Sequence, residues 1–363
     1  MTSTTYKTNL NSDITVSVLI PIYNTERFLE EALTSLQVQT SHNLEFLCIN
    51  DGSTDKSRDI ILHFVSKDSR FKLIDKQNSG YGASMNLGIS TAKGKYIAIL
   101  EPDDFIKGEM YNDLFQLAKL SNYPDIVKSA YWSFTDSDNN RHYFHCGYWK
   151  RIKHLKTPFV LTQEPLLTRY HPSIWSAIYR RDFLKSNKIT FKEVPGAGWV
   201  DNPFMIETLL KAQSIVYTNQ SYYYYRDAHP ASSTANIVDM NMPIDRWCEM
   251  TNILRKENMY CPSVWSIHAY KAFLYLDYAK KAKNYDIETW KKLEEKVFSL
   301  LTPEEIANSE YLSSTQKQTY SRISKNQLPK FNTVNYYLML IKESYWKIRQ
   351  NGIKYMFIRA CAR

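Results

Sequence analysis

Cysteine is sparse in this chain of 363 residues: Cys48, Cys146, Cys248, Cys261 and Cys361, with no CxxC pair among them. That spacing excludes a disulfide scaffold, and Cys48 sits in an apolar run, so the thiols read as reduced and structural. No stretch approaches the roughly 18 uninterrupted apolar residues of a membrane span. Met1 to Asp13 is polar and lacks the apolar core of a secretory signal. The expectation is a protein made and kept in the cytosol. Internal repeats and low-complexity segments are absent as well, and glycine nearly vanishes beyond about Asp239.

An apolar content of 44% supports a packed core, in one large domain or two ordinary ones. The net charge of +9 suits acidic partners: nucleotide diphosphates, anionic polymers, nucleic acid or an anionic membrane face. The basic residues are dispersed and carry no known nucleic-acid motif, so nucleic acid is not expected as a partner.

The first hundred residues alternate strand and helix signals. Val16–Ile20, Phe46–Ile49, Lys72–Ile74 and Tyr96–Leu100 read as buried strands. The intervening helices carry Phe28, Leu29, Ala32, Leu33 and Leu36, then Ile60, Ile61 and Phe64. Near-continuous apolar strands separated by helices imply a mostly parallel sheet covered on both faces. Ligands of such sheets bind beyond the carboxyl ends of the strands. A boundary is placed near Ala235. After it come helical stretches at 265–283 and 290–301, and a basic, aromatic segment from Val334 to Arg363. That last helix could lie on an anionic membrane or pack on its own domain.

Acids follow the strands: Asp51 after the second, Glu101, Asp103 and Asp104 after the fourth, and Asp201 later in the chain. Carboxylates crowded after a buried strand repel one another, and burial disfavours their charge. A divalent cation relieves both costs, and hard oxygen ligands suit Mn²⁺ or Mg²⁺; a solvated turn with an Asp helix cap is the bland alternative. Asp51, followed by Gly52 and Ser53, either serves a glycine-permitted turn or accepts the N–H of a uracil ring. Gly80 and Gly82 resemble the start of a dinucleotide fingerprint, but Met85 stands where its third glycine belongs, which argues against a dehydrogenase. Small residues opening this helix still permit a ligand to approach the backbone, and a helix N-terminus favours phosphate.

Together Val16–Asn24, Asn50–Asp55, Asn78–Gly88 and Glu101–Asp104 resemble the ordered motifs of family 2 glycosyltransferases of the GT-A fold. Weaker matches run through 174–181, 199–204 and 222–234, so the resemblance covers about two-thirds of the chain. It implies an α/β fold, with a Rossmann-like, mostly parallel sheet and flanking helices over 1–235, and a helical region over 236–363. It implies nucleoside contacts from Pro21, Tyr23 and Asp51, and donor contacts from Asn78, Gly80 and Asn86. Glu101-Pro-Asp-Asp104 resembles the family's DxD motif, with Glu in the first position. Asp103 is then the expected metal ligand, and Asp104 and Glu101 bind metal, ribose or sugar. Asp201 resembles the catalytic base, although Val200 replaces the acid that usually precedes it. Arg226, His229 and Ser232 resemble the element that closes over the diphosphate, with His229 a third metal ligand. Met85 replaces an arginine that many relatives carry.

The implied activity is inverting transfer of a hexose or N-acetylhexosamine from a UDP-sugar, with Mn²⁺ or Mg²⁺. The acceptor would be a hydroxyl of a glycan, a lipid-linked or polymeric glycan, or a glycoprotein at the cell surface. The helical region would contact acceptor, membrane or a second copy. Rival readings are an idle GT-A domain that partners an active transferase, and a nucleotidyltransferase that releases pyrophosphate. The transferase expectation demands that Asp103 and Asp201 face one cleft.

Overall fold

A computed structural model describes residues 14–137, 140–227 and 236–353. Nine strands form one sheet. The first four are β1 (Val16–Ile22), β2 (Leu44–Asn50), β3 (Phe71–Asp75) and β4 (Tyr96–Ile99). They pair in parallel in the order β3-β2-β1-β4, as the alternating strand and helix pattern requires. β1 and β2 are buried at all seven of their positions. Each of Val18, Leu19 and Ile20 is fully enclosed, and burying such a side chain stabilises by about 1.5–3 kcal/mol. The covering helices are α1 (Glu26–Gln37), α2 (Ser57–Lys67) and α3 (Tyr81–Thr91). On α1 the buried positions are Leu29, Ala32, Ser35, Leu33 and Leu36, and Phe28 lies at the edge of that face.

Beyond β4 the sheet turns mixed. β5 (Phe105–Ile106), α4 (Met110–Leu120), β6 (Ile126–Ser137), β7 (Asn140–His145) and β8 (Ala177–Arg180) follow. Then come α5 (Arg181–Ser186), α6 (Asp201–Lys211) and β9 (Ile215–Arg226). β8 is antiparallel to both β4 and β6, and β6 runs parallel to β9. The parallel expectation therefore holds for the first half of the sheet, and β8 reverses the direction for the second. β6 and β9 slip register between Ser129 and Tyr131, and β9 then carries Tyr223 and Arg226 under the turn that follows β4.

The remaining helices are α7 (Asn241–Lys256), α8 (Pro262–Ala279), α9 (Ile287–Ser299), α10 (Pro303–Asn308), α11 (Ser314–Ser324) and α12 (Val334–Asn351). α7 and α8 join through the stacked pair Trp247 and His268, whose ring centroids are 4.8 Å apart. α8 in turn meets α6: the Tyr275 hydroxyl donates to Asn202 Oδ1 at 2.6 Å. Among the described residues no helix is long and apolar enough to cross a membrane. Cys48, Cys146, Cys248 and Cys261 are free.

Candidate active site at the strand ends

The loops after β1 and β2 are laced together. Asn24 Oδ1 accepts from Thr54 N at 2.8 Å, and Ser53 Oγ accepts from Asn24 N at 3.1 Å. Pro21 is buried near the end of β1, and Tyr23 just beyond it is half exposed, in position to line a ligand at that edge. Asp51 closes β2 and is itself buried. Its carboxylate accepts the backbone N–H groups of Ser79 and Gly80, each at 2.9 Å, and pairs with Lys76. Asp51 thus ties down the start of α3. Asn78 beside it is exposed.

Two N–H groups at the start of α3 are already engaged. Gly80 donates to Asp51, and Tyr81 donates to the carbonyl of Gly196 at 3.0 Å. The glycines here admit the chain itself rather than a ligand. A Cβ on Gly82 would lie 2.0 Å from the Lys192 carbonyl oxygen, and one on Gly80 would lie 2.3 Å from that of Val194. Asn86 holds the same strap: its Oδ1 accepts from Phe191 N at 2.8 Å, and its Nδ2 donates to Phe191 O and Glu193 Oε1, both at 2.9 Å. In this fold the polar groups of Gly80 and Asn86, expected as donor contacts, bind the 191–196 segment and Asp51. Met85 lies in the core.

The acidic turn after β4 splits into two roles. Asp104 is almost fully buried, accepting the Tyr223 hydroxyl on Oδ2 at 2.9 Å and Arg226 N on Oδ1 at 2.7 Å. Burial pushes its carboxyl far up, and the charge of Asp103 adds to that. Both oxygens of Asp104, expected as a metal or donor ligand, bind β9 and anchor the turn in this fold. Glu101 and Asp103 are only partly covered. Glu101 accepts the Tyr81 hydroxyl at 2.7 Å. Burial pushes the Glu101 carboxyl up to about 8, and the charges of Asp103 and Asp201 push the same way. Acids from two distant parts of the chain therefore act on one carboxyl.

Asp201 opens α6. Burial raises its carboxyl to about 6, against the Asn202 side chain, which donates to Oδ1 at 3.1 Å, and against the charge of Lys271. Asn202 is held in turn by Tyr275 of α8. Lys271 lies one helical turn before Tyr275 on the same face and is buried. Its ammonium makes no hydrogen bond or ion pair with a described residue; burial lowers it to about 8, and Asp201 opposes that fall. Neither Lys271 nor Tyr275 was expected from the sequence. His171 adjoins them, its ring 4.7 Å from that of Tyr225. Burial lowers it to about 3, with Lys271 and Lys128 acting in the same direction, so it is neutral. Trp175 stacks on Tyr223 at 4.0 Å and is core.

Arg226 departs most from expectation. Its guanidinium is buried between the rings of Phe28 and Phe134, at 4.5 and 4.7 Å. It donates to Glu31 Oε2 and the Asp103 carbonyl, both at 2.9 Å, and pairs with Asp136. Every nitrogen of the fork, expected at the diphosphate, is engaged by protein groups in this fold. His229 and Ser232 lie outside the described residues.

Among the described residues no three His, Cys, Asp or Glu side chains form a ready ligand set. Mg²⁺ and its kin are commonly held at nucleotide sites by one or two carboxylates together with substrate phosphates. Asp103, with Glu101 beside it, fits that mode. A shallow polar hollow at Ser186, Asn187, Lys211 and Gln213 shares none of these residues.

Residues 17–186 match the family model for glycosyl transferase family 2. The chain is 32% identical over 215 residues to glycosyltransferase GlyG of Streptococcus pneumoniae serotype 4, covering 58% of this chain and 70% of the relative. The chain belongs to glycosyl transferase family 2. Its fold is that of the GT-A members. S. aureus TarS in complex with UDP-GlcNAc superposes with a TM-score of 0.66 at 19% identity, over 86% of this chain and 91% of that one. The mannosyltransferase PcManGT from Pyrobaculum calidifontis, in complex with GDP-Man and Mn²⁺, gives 0.50 at 13% identity, over 85% and 86%. In this family 2 member the matched span ends before α6, so Asp201 and the helices from α7 onward lie outside it.

Proposed function

We propose that the chain is an inverting hexosyltransferase that moves a hexose or N-acetylhexosamine from a UDP-sugar to an acceptor hydroxyl. The acceptor class is a cell-surface glycan, a lipid-linked or polymeric glycan, or a glycoprotein. One observation carries this reading: the Glu101 carboxyl, held by the Tyr81 hydroxyl at 2.7 Å, feels the charges of both Asp103 and Asp201. A donor-side acid and a candidate base thus meet at one sheet edge. The UDP-GlcNAc complex of TarS supports a uridine donor, and the Mn²⁺ in PcManGT supports a divalent ion.

The donor nucleoside would lie over Tyr23 and the Asp51 loop, with Asn78 at the rim. Asp201 accepts the proton of the acceptor hydroxyl as its oxygen attacks the anomeric carbon. The bond from that carbon to the diphosphate breaks on the opposite face, and UDP leaves with the electron pair. Asn202 orients the base, Tyr275 orients Asn202, and Lys271 favours the ionised carboxylate before the acceptor arrives. Glu101, held by Tyr81, is placed to accept a sugar hydroxyl. A divalent cation on Asp103 would supply positive charge to the diphosphate oxygens. His229 and Ser232 remain part of this proposal as diphosphate-side groups. We assign residues 1–235 to donor binding and chemistry, and 236–363 to completing the acceptor side through α8.

The test is a panel of nucleotide sugars, with Mn²⁺ or a chelator, read by nucleotide release. UDP release that needs the ion is the expected result. Asp201→Asn should retain UDP binding and lose transfer. Normal turnover by that variant would remove the base assignment. Metal-independent silence across the panel would favour the idle-partner reading.

A further inference from the structure

Among the described residues α12 is docked by one face and bare on the other. On the inner face Glu343 pairs with Arg151 at 2.6 Å and with Arg169 at 2.5 Å, and accepts the Tyr170 hydroxyl at 3.0 Å. Burial would raise this carboxyl, yet the two arginines hold it down at about 2. Gln350 donates to the Trp149 carbonyl at 2.6 Å, two turns further along the same face. These bonds fix the helix on the body of the enzyme.

At 100° per residue, the opposite face carries Val334, Tyr337, Leu338, Ile341, Tyr345 and Ile348. All six are exposed, by 39% to 67%. An unbroken apolar stripe along an 18-residue helix is not what a solvated surface selects. Lys342, Lys347 and Arg349 are also exposed and flank the stripe on both sides. Glu343, the helix's only acid, is turned inward. The outward surface is therefore apolar along its crest and cationic along its shoulders.

We propose that α12 seats the enzyme on an anionic lipid surface, with its apolar crest in the headgroup layer and the three cations against acidic headgroups. An interfacial helix gains affinity from buried apolar area together with attraction to anionic lipid. The charge pattern argues against a second copy as the occupant. Two such helices laid crest to crest would bring cationic shoulders together, with no exposed acid on the helix to answer them. The lipid reading does not depend on the donor or the base assignments above.

The experiment is co-sedimentation of the full chain with phosphatidylcholine vesicles, with and without phosphatidylglycerol, at low and high salt. The expected result is binding that needs phosphatidylglycerol and weakens with salt. The double variant Ile341→Asp with Ile348→Asp should lose binding. The triple variant Lys342→Ala, Lys347→Ala and Arg349→Ala should bind on the order of tenfold more weakly, at about fivefold or less per cation. Both variants should keep the unmodified chain's melting temperature and nucleotide release. Equal binding to neutral vesicles, or none to anionic ones, overturns the proposal. So does a dimer, seen by light scattering, that the double variant dissolves while vesicles go unbound.

Discussion

The hydroxyl of Tyr223 donates to Oδ2 of Asp104 at 2.9 Å in the core of the protein. The Tyr223 hydroxyl oxygen in turn accepts the backbone N–H of Glu101 at 3.0 Å. One phenol on β9 thereby holds both ends of the acidic turn that carries Asp103. Tyr223→Phe removes both bonds and leaves a buried carboxyl and an N–H short of a partner, at about 1–3 kcal/mol each. The expected outcome is a lower melting temperature and roughly tenfold slower UDP release. Unchanged turnover would show that the turn holds its shape without Tyr223.

The base proposed at Asp201 has a pH signature. With its carboxyl raised to about 6, Asp201 is protonated and useless as a base at lower pH, so nucleotide release should fall off on the acid side of about pH 6. Lys271 opposes that rise, so Lys271→Met should move the acid limb upward by about one unit, and Lys271→Arg should restore it. Glu101, Tyr81, Tyr225 and Tyr275 also feel Asp201 and stay in place in both variants. A limb that does not move would leave Lys271 a purely structural cation.

Stability carries the same signature with a definite sign. The Asp201 carboxyl is raised in the fold, so its contribution is most favourable below its unfolded value near 3.8 and is lost as pH rises through about 6. Asp201→Asn should therefore melt higher than the unmodified chain at pH 7, by an amount worth about 1–3 kcal/mol. The gain should shrink toward pH 4. Calorimetry at the two pH values checks it, and a variant that melts lower at pH 7 would contradict the burial cost.

Arg226 separates a structural from a donor role. Arg226→Met strands Glu31 and Asp136, which are partly solvated, so the cost should be about 2 kcal/mol rather than the larger penalty of fully buried pairs. UDP affinity, measured by calorimetric titration with Mn²⁺, should stay within about twofold. A tenfold loss would return Arg226 to the diphosphate.

Gly82→Ala should destabilise by about 1–3 kcal/mol. Its Cβ meets backbone at 2.0 Å rather than a side chain that can swing aside. A melting temperature equal to that of the unmodified chain would mean that the 192–196 strap yields freely.

The first four strands and the acids that end them were readable because the signal is local: an apolar run stops and a carboxylate follows. The same locality hides the long-range partners of the site. Arg226 finds Glu31 across 195 positions, and Asn86 finds Phe191 across 105, and no spacing rule announces such pairs. β6 escaped because Lys128, Ser129 and Ser133 interrupt its apolar pattern. In the fold Lys128 is buried and satisfied by Ser173 and Ser176 at 2.8 to 3.0 Å. Lys271 and Tyr275 gave no sign because a helix rich in Tyr and Lys looks like any packed surface helix until its neighbour is known.

The strap over α3 has a mechanical consequence. Asp51 grips the N-terminus of α3, Tyr81 N grips Gly196 O, and only a short run of chain then separates Gly196 from Asp201. Under the proposed function, a nucleotide that shifted the Asp51 loop would pull on the segment from which Asp201 hangs. The Asp51 loop and the position of Asp201 are thus joined by a short tether of main chain.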